Sequence, residues 1–250
     1  MQEPKRSEVI VFPDKESLSR DAAYRVCTLA QSAARLRGRF ALALAGGSTP
    51  ALLYRLLLNT PFVEAMPWAA TEFWFGDDRC VAPDAPESNY RMAREALLDA
   101  LPTTPGGIYR MPTEMPDHEA AAQLYEAQLQ QVFGVERDAW PRFDLILLGM
   151  GPDGHCASLF PHKPALQEQK RLVVATEPGL KPFVPRLTLT FPVLNHAAHV
   201  LFLVAGADKA ETLARVLHGP PLPNELPSQS VALQNGPLTW LVDRAAAAQE

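Results

Sequence analysis

The residues best suited to chemistry lie in the stretch 144–161, DLILLGMGPDGHCASLFP, where Asp153 and His155 stand two residues apart in a glycine-rich loop. Histidine has the side chain whose ordinary pKa lies nearest neutrality, so it suits taking a proton from water and returning it. A carboxylate bonded to its other ring nitrogen fixes the tautomer, a task open here to Asp153 or to Asp77. The apolar run 145–148 just upstream reads as a strand covered on both faces. Ligands in open α/β sheets bind beyond the carboxyl ends of strands, which favours a catalytic over a structural histidine at this point. Cys156 and Ser158 are near neighbours of His155 but sit in no nucleophile-elbow pattern, so direct attack by water is preferred to an acyl-enzyme.

Three further groups sit at strand exits. The segment 46–50, GGSTP, follows an apolar run and precedes Leu52, Leu53, Leu56 and Leu57. Its reading is open between a plain tight turn capped by Ser48 or Thr49 and an anion site made by the free N–H groups and the positive dipole end of the helix that follows. The segment 76–79, GDDR, brings Asp77, Asp78 and Arg79 together, and such a cluster is ordinarily a solvated turn whose charges pair among themselves. Lys209 falls in the first turn expected after Gly206. The macrodipole disfavours a cation there, so Lys209 either extends to solvent or is held by an anion. Gly149, Gly151 and Gly154 also spell GxGxxG, but Pro161 and Pro164 leave space for only about two helical turns, too few for a dinucleotide fold.

The elements that must position these groups alternate. Strands are expected at 9–12, 40–45, 72–75, 145–148, 172–176, 199–205 and 238–242, with a short edge strand in 106–111. Helices are expected at 17–36, after Pro50, at 89–101, at 117–133 and after Gly206, with Gly38 and Gly134 as stops. In 186–191 Leu187, Leu189 and Phe191 alternate with Thr188 and Thr190, giving a strand with one polar face that Pro192 ends. The proline-rich stretches 178–185 and 220–227 exclude regular structure and are candidates for a lid. The pattern predicts one α/β domain over residues 1–250, a three-layer, mostly parallel sheet flanked by helices.

Composition narrows the class. A chain of 250 residues, 47% apolar and 20% charged, has ample material for a core. Lys5 and Arg6 precede only the short apolar run 9–12, far from a signal peptide, and no run reaches membrane-spanning length, so a cytoplasmic protein is expected. Three cysteines without CxxC spacing indicate neither a disulfide framework nor a zinc site, and the six histidines show no metal-ligand spacing, so the sequence requires no cofactor. A net charge of −5 argues against nucleic-acid binding and leaves a small anionic ligand open.

GGSTP, FGDDR, SNY, GMGPDGHCASLFP, RLTLTFPVLN and GADK occur in this order along nearly the whole chain. With these blocks the sequence closely resembles the 6-phosphogluconolactonase family, within a superfamily shared with glucosamine-6-phosphate deaminases. DGHCASLFP and RLTLT are the discriminating blocks. The resemblance implies a Rossmann-like fold of the sugar-phosphate isomerase type and hydrolysis of a phosphosugar lactone. It implies His155 as the catalytic residue, Gly46, Gly47, Ser48 and Thr49 at the 6-phosphate, and Lys209 and Arg186 as its charge partners. Arg79 matches the arginine of the family's Asp-Glu-Arg triplet, whose middle position is Asp78 here, and is the candidate for steadying an oxyanion. The deaminases resemble this chain in the acidic block but carry a glutamate five residues after the histidine, where this chain has Phe160. The competing functions are an amino-sugar-phosphate deaminase or isomerase, with Asp77 as base, and a sugar-phosphate sensor without turnover.

Overall fold

The computed structural model describes residues 7–136 and 139–248; Lys5 and Arg6 lie outside them. Among the described residues the strands are β1 (Glu8–Phe12), β2 (Phe40–Leu44), β3 (Thr71–Phe75), β4 (Asp77–Arg79), β5 (Gly107–Ile108), β6 (Leu145–Leu148), β7 (Val173–Thr176), β8 (Arg186–Leu189), β9 (Val200–Val204) and β10 (Leu238–Asp243). The helices are α1 (Lys15–Arg37), α2 (Ser48–Leu57), α3 (Phe62–Ala65), α4 (Asn89–Ala96), α5 (His118–Phe133), α6 (Phe191–His196) and α7 (Ala210–His218).

Seven of these strands form one parallel sheet in the order β1, β10, β9, β6, β2, β3, β5. All of β2, β6 and β9 is buried, as expected for strands covered by helices on both faces. The chain builds outward from β2 through β3 to β5, and outward on the other side from β6 through β9 to β10. The reversal falls between β2 and β6, so a crevice opens beyond their carboxyl ends, the place where such sheets bind ligands.

Helix α1 shows how the sequence sets the layers. Asp14 caps it by accepting the Ser17 N–H at 2.7 Å, and Gly38 ends it in the left-handed conformation at φ 72°. Leu18, Ala22, Val26, Ala30 and Ala33 form its buried stripe against the sheet. Aromatic stacking fixes the two ends of the sheet: Trp74 lies 4.0 Å from the Tyr109 ring, and Phe202 lies 3.7 Å from the Trp240 ring.

A second, three-stranded sheet in the order β4, β8, β7 is antiparallel, and it corrects the sequence reading twice. Asp77, Asp78 and Arg79 are not a solvated turn but a strand, with Asp77 7% and Asp78 1% exposed. The expected polar face of β8 is buried too, Arg186 and Thr188 included, and the chain that carries Ser158 lies against it, its N–H donating to Thr188 Oγ1 at 3.2 Å. Two helices are also shorter than expected. α4 stops at Ala96, where Leu97 leaves helical geometry, and a 3-10 turn covers Leu98–Ala100. After Gly206 a 3-10 turn, Ala207–Lys209, precedes α7. The 106–111 edge strand shrinks to two residues.

Candidate active site

Two buried tyrosines hold the strand ends from which the site is built. Tyr54 of α2 accepts the Ala45 N–H at 2.9 Å and donates to the Ala45 carbonyl at 2.8 Å, tying the turn after β2 to its own helix. Tyr125 of α5 does the same at β3, accepting the Phe75 N–H at 3.0 Å. Burial pushes both phenols well above their ordinary range, so both stay neutral and keep their donor.

Beyond these ends lies a cavity of about 330 Å³. Gly46 and Gly47 form one wall, Gly76, Asp77 and Arg79 a second, and the glycine loop after β6 a third. Arg79, Lys181, Arg186 and Lys209 all line it, as do Asp77 and His155.

The histidine loop folds as tightly as its glycines allow. Gly151 N–H donates to the His155 carbonyl at 2.9 Å, and Gly154, at φ 79°, donates back to the Gly151 carbonyl at 3.0 Å. No helix starts at Gly154, consistent with setting aside a dinucleotide site. The resulting loop brings Asp153 Oδ1 to 2.5 Å from His155 Nδ1. A Cβ on Gly151 would stand 2.0 Å from that Nδ1, so the pair needs glycine beneath it. Burial pushes the Asp153 carboxyl up, but the hydrogen bonds and charge of His155 outweigh it and hold the group below its ordinary range. With Nδ1–H donated to an ionised carboxylate, Nε2 keeps its lone pair for a proton. The ring packs 4.5 Å from that of Phe160.

Of the two carboxylates considered for His155, Asp153 is the one bonded to the imidazole. Asp77 Oδ2 instead accepts the Ser158 hydroxyl at 2.6 Å, and its Oδ1 accepts the Asn89 amide at 3.3 Å. Ser158 is therefore committed and fully buried, and burial pushes the equally buried Cys156 thiol up to about 12, leaving neither as a ready nucleophile.

Asp78 points away from chemistry. Its carboxylate accepts N–H groups of Arg79 and Asn89 at 2.7 Å and of Tyr90 at 3.0 Å, capping the start of α4 together with the Ser88 hydroxyl. Burial pushes it up to about 6, against the pull of those donors.

Arg79 Nη1 donates to the Glu87 carbonyl at 2.6 Å, while its buried Nε has no partner. Arg186 donates to the carbonyls of Val184, at 3.1 Å, and Pro182, at 2.9 Å. Burial, and then the charge of Arg79, lower the Arg186 pKa. The GGSTP turn departs from the capping expectation: Gly47 occupies the N-cap at φ 102°, and neither Ser48 nor Thr49 caps α2 through its side chain. The first-turn N–H groups are thus left to another acceptor. Lys209 meets its anion in part within the chain, at Asp208, 2.9 Å away. Asn89 and Lys181 were not singled out from sequence; SNY was visible as a block, but its contact with Asp77 is not a local signal. Among the described residues no group of three or more His, Cys, Asp and Glu side chains is placed to hold a metal ion.

The sequence matches the family described as glucosamine-6-phosphate isomerases/6-phosphogluconolactonase over residues 13–240. It is 43% identical to a 6-phosphogluconolactonase of Synechocystis sp. over 96% of each chain, and 36% identical to 6-phosphogluconolactonase 3, chloroplastic, of Arabidopsis thaliana, covering 99% of this chain and 76% of that one. The structure is similar to that of 6-phosphogluconolactonase from Trypanosoma cruzi, with a TM-score of 0.87 and 30% identity over 99% of this chain and 98% of the other. A monomeric glucosamine-6-phosphate deaminase shares the fold, with a TM-score of 0.80 at 22% identity over 97% of this chain and 100% of the other. On this evidence the chain belongs to the glucosamine-6-phosphate isomerase/6-phosphogluconolactonase family.

Proposed function

We infer that this protein hydrolyses 6-phospho-D-glucono-1,5-lactone to 6-phosphogluconate, a step of the oxidative pentose phosphate pathway. The observation that carries the mechanism is the 2.5 Å contact of Asp153 with His155 Nδ1 in a cavity lined by four cations. His155 Nε2 takes a proton from water as the water oxygen bonds to the lactone carbonyl carbon. Negative charge grows on the carbonyl oxygen, and the guanidinium of Arg79, which lines the cavity, is the donor assigned to it. Collapse of the tetrahedral species breaks the bond to the ring oxygen, which takes the proton back from the imidazolium and leaves as a hydroxyl. Asp153 stays ionised throughout and stabilises the imidazolium.

The phosphate is assigned to the N-terminus of α2, with Gly46, Gly47, Ser48 and Thr49 at the turn and Arg186 and Lys209 as counter-charges. No titrating carboxylate is required at the substrate beyond Asp153, so Asp77 is assigned to shaping the site. The chain is taken to act as one α/β domain over residues 1–250 without a cofactor. A cytoplasmic setting suits this substrate, and no helix among the described residues is long and apolar enough to cross a membrane. Acid release from 6-phosphogluconolactone, followed in a weakly buffered solution with purified protein, tests the reading. A rate no higher than spontaneous hydrolysis would overturn it.

A further inference from the structure

Asn89 opens α4 and is 2% exposed at the wall of the cavity. Its Nδ2 donates to the Asp77 carbonyl at 3.0 Å and to Asp77 Oδ1 at 3.3 Å. The same amide fills the space over Gly46, where a Cβ would stand 2.1 Å from Asn89 Oδ1 and 2.7 Å from Nδ2. Asp77 in turn takes the Ser158 hydroxyl at 2.6 Å, and Ser158 N–H donates to Thr188 Oγ1 at 3.2 Å. One uncharged side chain therefore touches the turn after β2 and, through Asp77, the loop that carries His155.

Asn89 is itself held firmly. Its N–H and that of Tyr90 both donate to the Asp78 carboxylate. A buried amide with its donor satisfied has one rotamer to occupy, and it transmits a displacement of one wall to the other because interiors are close-packed.

We propose that Asn89 is a positioning residue that sets the separation between the phosphate-binding turn at Gly46 and Gly47 and the His155 loop. Binding of the phosphate end of a substrate then places the reacting carbon at His155, and the energy of the remote contact is expressed in turnover. This rests on the reading of the cavity as a phosphosugar lactone site.

The test compares 6-phosphogluconolactone with unphosphorylated gluconolactone in the wild type and in Asn89→Ala, Gly46→Ala and the double variant. The wild type should favour the phosphorylated lactone in kcat. Asn89→Ala should lose about 10²-fold of kcat on the phosphorylated lactone, as for a displacement of about 1 Å, with a smaller change in KM. Its kcat ratio between the two lactones should narrow accordingly. Gly46→Ala should be impaired by collision with Asn89, and adding it to Asn89→Ala should cost little more. Asn89→Gln keeps the amide but moves it by one methylene, so it should narrow the ratio in a folded protein even if the alanine variant does not fold. A wild-type kcat ratio in either folded Asn89 variant would overturn the positioning role. A wild-type protein with no turnover of the phosphorylated lactone would overturn the site reading, and this inference with it.

Discussion

Arg79 and Arg186 stand directly opposite one another in the antiparallel pairing of β4 and β8. Their guanidinium groups donate to main-chain carbonyls rather than to carboxylates. Like charges placed opposite each other in a ladder cost stability, and burial of Arg186 at 3% exposure sharpens that cost. An anion bound in the cavity would offset it.

The free protein should therefore be stabilised by inorganic phosphate. At a phosphate concentration about 100 times its Kd the gain is about 2.7 kcal/mol. For a chain of this size that is a rise in Tm of roughly 5 to 10 °C. Scanning calorimetry at constant ionic strength reads it directly. Arg79→Ala should show a smaller rise, and a Tm indifferent to phosphate in the wild type would remove the anion site.

His155→Ala should lower kcat by roughly 10² to 10⁴ with KM little changed, the range for loss of a general base. Asp153→Asn should also lower kcat, because the neutral amide neither stabilises the imidazolium nor enforces its tautomer. A pH titration of stability distinguishes Asp153 from Asp78. Asp153 is held below its ordinary 3.8, so its contribution is present above that pH and is lost as pH falls through the lower folded value. Urea unfolding of Asp153→Asn should accordingly be flatter with pH below about 4. Full activity in a folded His155→Ala would return that residue to a structural role.

Asp78 carries the opposite sign. Its folded value of about 6 lies above the ordinary 3.8, so the folded state holds the proton more tightly across that interval. Stability from this group is greatest below pH 3.8, falls as pH rises to about 6 and is level above it. The gap corresponds to a difference on the order of 3 kcal/mol. Protonation also places a hydrogen against a ring of donors, the N–H groups of Arg79, Asn89 and Tyr90, so activity should fall on the acid side even as the fold tolerates the pH. The charged and polar groups that face this carboxyl are Asp77, Arg79, Arg110, Arg186, Cys80 and Tyr125. Asp78→Asn should remove the slope between pH 4 and 6 in urea midpoints, and an unchanged slope counts against the assignment.

Local signals made much of this legible. The apolar runs of β2, β6 and β9 and the glycine stops at Gly38 and Gly134 are written in short windows of sequence, and the structure places them within a residue or two. The histidine loop was legible for the same reason, since Asp153 and His155 are two residues apart. The second sheet was legible only in part: β7 and β8 read as strands, while β4 and the pairing of the three did not. Its strands have three or four residues, and β4 pairs with β8 more than 100 positions later, so Asp77, Asp78 and Arg79 look solvated until that partner covers them. Separation also hid the bond of Asp77 to Ser158, 81 positions away, which turned a candidate orienter of His155 into a scaffold for its loop. Lys209 shows a third case, in which the conflict with a helix dipole was real but was met partly by the adjacent Asp208.

The protein should not release ammonia from glucosamine 6-phosphate, and the reason lies against His155. In the deaminase pattern a glutamate five residues after the histidine works with it to open the sugar ring. Here that position is Phe160, 2% exposed, with its ring 4.5 Å from the imidazole and the Arg186 guanidinium 5.8 Å from its centroid. An aromatic ring neither accepts the ring proton nor raises the basicity of the imidazole. Neighbouring carboxylates that could replace it are committed elsewhere: Asp78 caps α4, and Asp77 is held by Ser158 and Asn89. Glu87 meets Arg79 through its main-chain carbonyl, which supplies no base. A lactone needs none of this machinery, because its carbonyl is already electrophilic and one base with one oxyanion donor suffices. Parallel assays of acid release from 6-phosphogluconolactone and ammonia release from glucosamine 6-phosphate should give turnover in the first alone, and comparable rates in both would sink the lactonase assignment. Restoring the glutamate by Phe160→Glu should not create the deaminase. The new carboxylate would be buried beside Asp153, the two would compete for one imidazole, and the variant should lose lactonase activity while ammonia release stays at background.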